Sequence, residues 1–295
     1  MMLIDFVGLG SMGLGMAVSL VKARHTVRGF DPAAARVEMF CTQGGDAFGE
    51  GVPPADAVVS AVLNADQTRA VLFGDQGVAA RLRPGGVIIS CATVSPAFAA
   101  QMEAQAVAMG LLYLDAPISG GAIKAAAGKL SIMASGTADA FAAADPALDA
   151  MAETVHRLGA AAGAGSAMKA VNQLLAGVHI AAMGEAMAFG ASQGLTPKQV
   201  LDVVSVSAGT SWMFENRGGH VAAGDYTPHS KVDIWLKDLG IVTDIAATSG
   251  LPVPISSNAL AQFRAASAAG LGDEDDAAIA KHFARAGGVT LPGDA

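Results

Sequence analysis

Leu3-Ile4-Asp5-Phe6-Val7-Gly8-Leu9-Gly10-Ser11-Met12-Gly13 decides the fold. An apolar run ends in Gly-x-Gly-x-x-Gly, and a helical pattern follows from Leu14 to Ala23. Strand, glycine turn and helix in that order are the context in which this spacing signals dinucleotide binding. Gly8 serves the tight turn, Gly10 lets the backbone approach a pyrophosphate, and Gly13 lets the helix pack on the strand. The phosphates then meet the free amides and positive dipole end of the helix. A plain strand–helix turn is the alternative. The next strand, Thr26 to Phe30, ends at Asp31, 18 positions past Gly13, near the spacing of a ribose-diol carboxylate. Asp31-Pro32-Ala33 offers a 2′-phosphate no adjacent partner, which reads as NAD over NADP; Arg28 and Arg36 are the nearby cations.

Beyond this unit the first half keeps alternating strands with helices: strands at 57–63, 86–91, 113–116 and 131–135, helices at 33–43, 66–73 and 96–109. That alternation predicts an α/β Rossmann-type doubly wound parallel sheet. Ligands of such sheets bind beyond the carboxyl ends of the strands, so Leu63, Asn64 and Thr93 join Gly8, Leu9, Gly10, Ser11, Met12, Gly13 and Asp31 as candidate cofactor contacts, or else stand in ordinary β–α turns. After residue 160 the strand signal fades. Ala160 to Gly165 reads as a flexible joint and Ser166 as the N-cap of a long helix running to about Gln193. Thr196 and Pro197 open another helix, and further helices fit 198–208, 232–248, 256–269 and 274–286. The expected division is a Rossmann domain over 1–162 and an all-α domain over 163–295, with a mobile tail from Gly287.

Of 295 residues 52% are hydrophobic and 15% charged, enough apolar material for two cores. A net charge of -8 disfavours nucleic acid and anionic membrane surfaces as partners. The N-terminal apolar run is short, contains Asp5 and lacks a basic leader, so it reads as a strand and not a signal peptide. No stretch reads as a membrane span. Cys41 and Cys91 sit among apolar residues and read as reduced core thiols of a cytoplasmic protein. No Cys/His/carboxylate spacing suggests a metal site.

Two further stretches could carry chemistry. In Asp115-Ala116-Pro117-Ile118-Ser119-Gly120-Gly121 a strand ends in a glycine turn whose backbone amides, beside the Ser119 hydroxyl, suit a carboxylate. On the long helix Lys169 and Asn172 are three apart and share a face, to which His179 returns seven residues later. With Ser166 as cap, Lys169 lies in the first turn, where the helix dipole and burial disfavour an ammonium and suit a base. A solvated lysine with a solvated asparagine is the alternative, and a packing role is the alternative for His179. Met183, Met187 and Phe189 read as core. Ser211 to Arg217, including Trp212, reads as the lining of a small polar pocket or as a packing anchor. Lys237-Asp238 by itself is an ordinary charged pair.

Together these residues resemble the β-hydroxyacid dehydrogenase family, which includes 3-hydroxyisobutyrate dehydrogenases and tartronate semialdehyde reductases. Gly8 to Met16 matches its cofactor signature, which usually continues to asparagine where this chain has Ser19. Asp115 to Gly121, with Gly128 and Leu130, matches its substrate-carboxylate motif, and Gln173 stands where many members carry a second asparagine. The resemblance implies Lys169 as general base, Asn172 as its partner, Ser119, Gly120 and Gly121 on the substrate carboxylate, and Thr93 and Lys237 on a nicotinamide cofactor, NAD. Within the family the chain is most similar to members that oxidise a four-carbon sugar acid at C2, through Trp212 to Arg217, Asp225 to Ser230 and His179 to Ala182. Trp212 and His179 are then substrate contacts. A homodimer or homotetramer is expected. A non-catalytic module that binds the cofactor without turnover is the reading from another class.

Overall fold

The computed structural model describes residues 1–49 and 51–294. They form two compact units, Met1–Lys169 and Ala170–Ala295, and the boundary falls inside one long helix.

The first unit runs β1 (Leu3–Val7), α1 (Gly13–Lys22), β2 (Thr26–Phe30), α2 (Ala34–Cys41), β3 (Asp46–Ala47), β4 (Ala55–Ser60), α3 (Ala65–Phe73), β5 (Leu82–Ser90), α4 (Pro96–Ala108) and β6 (Leu112–Asp115). These six strands make one sheet in the order β3-β2-β1-β4-β5-β6, and every pairing in it is parallel. Both faces are covered, as a parallel sheet requires. Ile4, Phe6, Val59, Ile89 and Leu114 pack with Met16 and Leu20 of α1 on one face. Val58, Ile88 and Tyr113 pack with Leu72 of α3 and Phe98 and Met102 of α4 on the other. The strand order reverses between β1 and β4, and the Gly8 turn leaves β1 at that crevice.

A second, three-stranded sheet follows: β7 (Ile118–Ser119), then α5 (Gly121–Ala126), β8 (Leu130–Ala134), α6 (Ala138–Met151) and β9 (Ala152–Arg157). β7 is antiparallel to β8, and β8 is parallel to β9. The strand expected at 131–135 therefore belongs to this sheet and not to the large one. The largely exposed Ala152–Arg157 and the two-residue β3 and β7 carry too little apolar signal to be read from sequence. Ser19, where asparagine is usual, is buried with its Oγ 2.9 Å from the Gly15 carbonyl and 3.1 Å from that of Ala125, tying α1 to α5.

α7 (Ala164–Ser192) continues into the second unit, whose helices are α8 (Pro197–Val204), α9 (Trp212–Ala223), α10 (Ile234–Ser249), α11 (Pro254–Ala266) and α12 (Ile279–Ala286). Thr196 and Gln199 form a reciprocal capping box, with Pro197 first in α8. The core gathers Ile180, Met183, Met187, Phe214, Trp235, Leu239, Phe263 and Ile279. Three expectations are corrected. Phe189 is 67% exposed and is no core residue. Cys41 is exposed, while Cys91 is buried. The tail is anchored, since Leu291 enters the core and Asp294 pairs with Arg285 at 2.7 Å. By length and composition α7 would pass as a membrane span, a test that buried core helices pass as readily.

Candidate active site

The glycine loop has the shape its spacing predicts. Gly8 has φ +96°, and a Cβ there would stand 2.6 Å from the Ala61 carbonyl oxygen. A Cβ on Gly13 would stand 1.8 Å from the Gly8 carbonyl oxygen. Gly10 is different: nothing approaches its missing Cβ more closely than Arg36 Nη1 at 3.9 Å. The α1 ladder begins with the Leu14 amide donating to Gly10, so the amides of Ser11, Met12 and Gly13 precede it. Open backbone over Gly10 and unladdered amides beside it fit a pyrophosphate.

Asp31 is buried, and its carboxylate accepts from the Leu9 amide (2.9 Å) and the Ala33 amide (2.9 Å). Arg36 Nη1 lies 3.3 Å from Oδ2 and 3.4 Å from Oδ1. The lack of a basic neighbour in sequence is thus offset in space: one helical turn brings Arg36 back onto Asp31. Arg28 turns elsewhere, to buried Asp5 at 2.6 Å. Leu63 stands exposed beyond β4, and the Asn64 side chain caps α3 by accepting the Gln67 amide at 2.9 Å. Asn64 therefore spends one acceptor on the turn itself. Thr93 is half-buried beyond β5.

The Ser119-Gly120-Gly121 turn joins β7 to α5 with two successive positive φ values, +139° and +75°. Only glycine holds that backbone without strain. Ser119 is paired with Ser131 of β8, and space is open beside Gly121.

Asp115, which closes β6, takes a role that sequence reasoning missed. It is fully buried, and Oδ2 accepts from the amides of Gly163 (3.0 Å) and Ser166 (2.8 Å), while Oδ1 accepts from Ser166 Oγ (2.7 Å). Burial pushes its carboxyl up, and the Ser166, Gly163 and Ser135 hydrogen bonds pull it down. This carboxylate, and not Ser166, caps α7. The helix begins at Ala164, so Ser166 lies within it and Lys169 is its sixth residue, in the second turn and not the first. The joint before it is held, not flexible: Ala162 donates to Glu103 at 3.1 Å and Gly163 to Asp115. The signal was present as an acid ending an apolar strand, since a buried carboxylate needs donors. Lys169 is buried, 7% exposed.

In the second unit Asn172 Nδ2 donates to Gln173 Oε1 (2.9 Å), and Gln173 Nε2 donates to Asp238 Oδ2 (2.5 Å). Lys237 Nζ is 2.8 Å from Asp238 Oδ1. Lys237-Asp238 is thus no ordinary surface pair: Asp238 is 4% exposed, and the network joins α7 to α10. His179 is half-buried on α7. The Trp212 cluster forms the first turns of α9, capped by Ser211. Trp212 is 59% exposed, Phe214 enters the core, and Arg217 is spent on buried Asp276 at 2.5 Å. No group of three or more metal-ligating side chains occurs among the described residues.

Two family models match the chain. Residues 3–159 match the NAD binding domain of 6-phosphogluconate dehydrogenase. Residues 163–283 match the NAD-binding segment of NADP-dependent 3-hydroxyisobutyrate dehydrogenase. The chain belongs to the β-hydroxyacid dehydrogenase family. Among relatives of this family, the L-threonate dehydrogenase of Cupriavidus necator is 49% identical, with 99% of this chain and 98% of that protein covered. That of Escherichia coli K12 is 46% identical, over 98% and 96%. A crystal structure of 3-hydroxyisobutyrate dehydrogenase from Salmonella typhimurium superposes with TM-score 0.90 at 47% identity, covering 95% of this chain and 99% of that one. As a β-hydroxyacid dehydrogenase, the chain is an NAD-dependent oxidoreductase that oxidises a hydroxy acid at CH–OH.

Proposed function

We propose that the hydroxy acid is L-threonate, oxidised at C2 to 2-dehydro-L-erythronate. The observation that carries this is the full-length identity of 46–49% with L-threonate dehydrogenases. The resemblance read in the sequence from Trp212 to Arg217 and from Asp225 to Ser230 supports it.

Ser119, Gly120 and Gly121 hold the substrate carboxylate through the hydroxyl and the amides of the positive-φ turn. Lys169 takes the proton of the substrate hydroxyl while that carbon gives up its hydride and becomes a carbonyl; in reverse, the lysine returns the proton to the oxygen. NAD, when bound, supplies the hydride acceptor. Residues Gly8 to Gly13 hold its pyrophosphate and Asp31 its ribose diol, with Leu63, Asn64, Thr93 and Lys237 as further contacts. Asn172 as partner of Lys169, and His179 and Trp212 as substrate contacts, rest on the sequence resemblance. We assign the cofactor to residues 1–162 and substrate selection and self-assembly to 163–295, in a cytoplasmic homodimer or homotetramer.

A second reading, 3-hydroxyisobutyrate oxidation, draws on the likeness to the Salmonella typhimurium 3-hydroxyisobutyrate dehydrogenase. The test is NADH or NADPH formation with L-threonate, D-threonate, D-erythronate, 3-hydroxyisobutyrate and D-glycerate. L-threonate with NAD should exceed every other pair at least about tenfold in kcat/KM, or about 1.4 kcal/mol. An equal or greater rate with 3-hydroxyisobutyrate would overturn the L-threonate reading.

A further inference from the structure

Asp115 stands between the turn that holds the carboxylate and the helix that carries the base, and the backbone joining these parts is paired throughout. Its own amide and carbonyl exchange hydrogen bonds with Ser135 (3.0 and 2.8 Å). Ala116 donates to the Ser90 carbonyl (2.8 Å), Met133 donates to the Pro117 carbonyl (2.9 Å), and Ser119 is in register with Ser131. β8 therefore holds the carboxylate turn beside Ser131 and the end of β6 beside Ser135. The same end of β8 meets α7: Ser135 Oγ accepts the Gly165 amide at 2.9 Å, and a Cβ on Gly165 would stand 2.3 Å from the Met133 carbonyl oxygen. The Asp115 carboxylate closes the arrangement on Gly163 and Ser166, one turn before Lys169.

We propose that Asp115 is a positioning residue that sets the span from the Ser119-Gly120-Gly121 turn to Lys169. This rests on the reading of Lys169 as base and of that turn as the carboxylate cradle. A misplacement of about 1 Å can cost about a hundredfold in rate. A helix start clamped by three hydrogen bonds to one carboxylate holds Lys169 within that tolerance, and a loosened one does not.

The experiment compares Asp115→Asn, Ser166→Ala and Lys169→Ala with the parent enzyme. Asp115→Asn presents an NH2 group or a lone acceptor to the two amides; Ser166→Ala removes only the hydroxyl bond and serves if Asp115→Asn fails to fold. Kinetics on L-threonate and 3-hydroxyisobutyrate, the isotope effect with C2-deuterated L-threonate, and NAD binding by fluorescence are measured. Expected are kcat on L-threonate lower by about a hundredfold in Asp115→Asn and about tenfold in Ser166→Ala. NAD affinity stays within about threefold, the isotope effect rises, and KM for L-threonate changes less than kcat. Parent-like kcat and isotope effect in both variants, with Lys169→Ala inactive, would overturn the positioning role alone. Kcat that falls in step with NAD affinity, at an unchanged isotope effect, would also overturn it in favour of a purely structural role. Turnover persisting in Lys169→Ala would instead overturn the base on which it rests.

Discussion

The Leu9 amide donates to the Asp31 carboxylate at 2.9 Å, so the acid just past β2 pins the glycine loop, and in the proposed site it also takes the ribose diol. Asp31→Ala should therefore weaken NAD binding at least about tenfold, or about 1.4 kcal/mol. NADP binding should fall less, because a carboxylate that repels a 2′-phosphate is removed as well. Titration of both cofactors by fluorescence checks this. Equal losses for the two would assign Asp31 to the loop alone.

Gly10 and Gly13 should fail in different ways. Gly10→Ala meets no atom closer than 3.9 Å, so the fold should keep its melting temperature while NAD affinity drops at least about tenfold. Gly13→Ala drives a methyl to 1.8 Å from the Gly8 oxygen and should cost more than about 3 kcal/mol of stability. Thermal melts beside NAD titrations separate the two.

The buried Gln173–Asp238 contact predicts a stability loss of about 2–3 kcal/mol for Gln173→Leu. Asp238, 4% exposed, would keep Lys237 at one oxygen and lose its donor at the other. Urea unfolding measures it; a change below about 0.5 kcal/mol would show the bond to be dispensable.

The two cysteines should react at different rates. Burial pushes the Cys91 thiol up to about 12, with Asp115 adding to the rise. A raised thiol pKa means less thiolate, so at pH 8 only about one part in ten thousand is reactive. Cys41 is exposed. Iodoacetamide on the native protein should label Cys41 and spare Cys91, as mass spectrometry would show.

The elements legible in the sequence were those that announce themselves by period and punctuation. The Gly8-to-Gly13 turn, the Thr26–Phe30 strand and the Thr196-Pro197 helix start all depend on local chemistry. What stayed hidden depends on partners far along the chain. Ser166 looks like an N-cap until Asp115, 51 residues earlier, is seen to do the capping. Arg36 looks remote from Asp31 until a helical turn folds it back. Arg217 looks like a pocket residue until Asp276, 59 residues on, claims it. Buried carboxylates recruit their donors from wherever the fold supplies them, and sequence spacing does not record the choice.

Lys169→Ala is the most direct measurement, made as NADH formation from L-threonate with NAD affinity followed in parallel. Loss of turnover by at least about a thousandfold with NAD affinity within about threefold is the predicted result. Turnover near that of the parent enzyme would contradict the assignment of Lys169 as the base, and with it the chemistry proposed for this site.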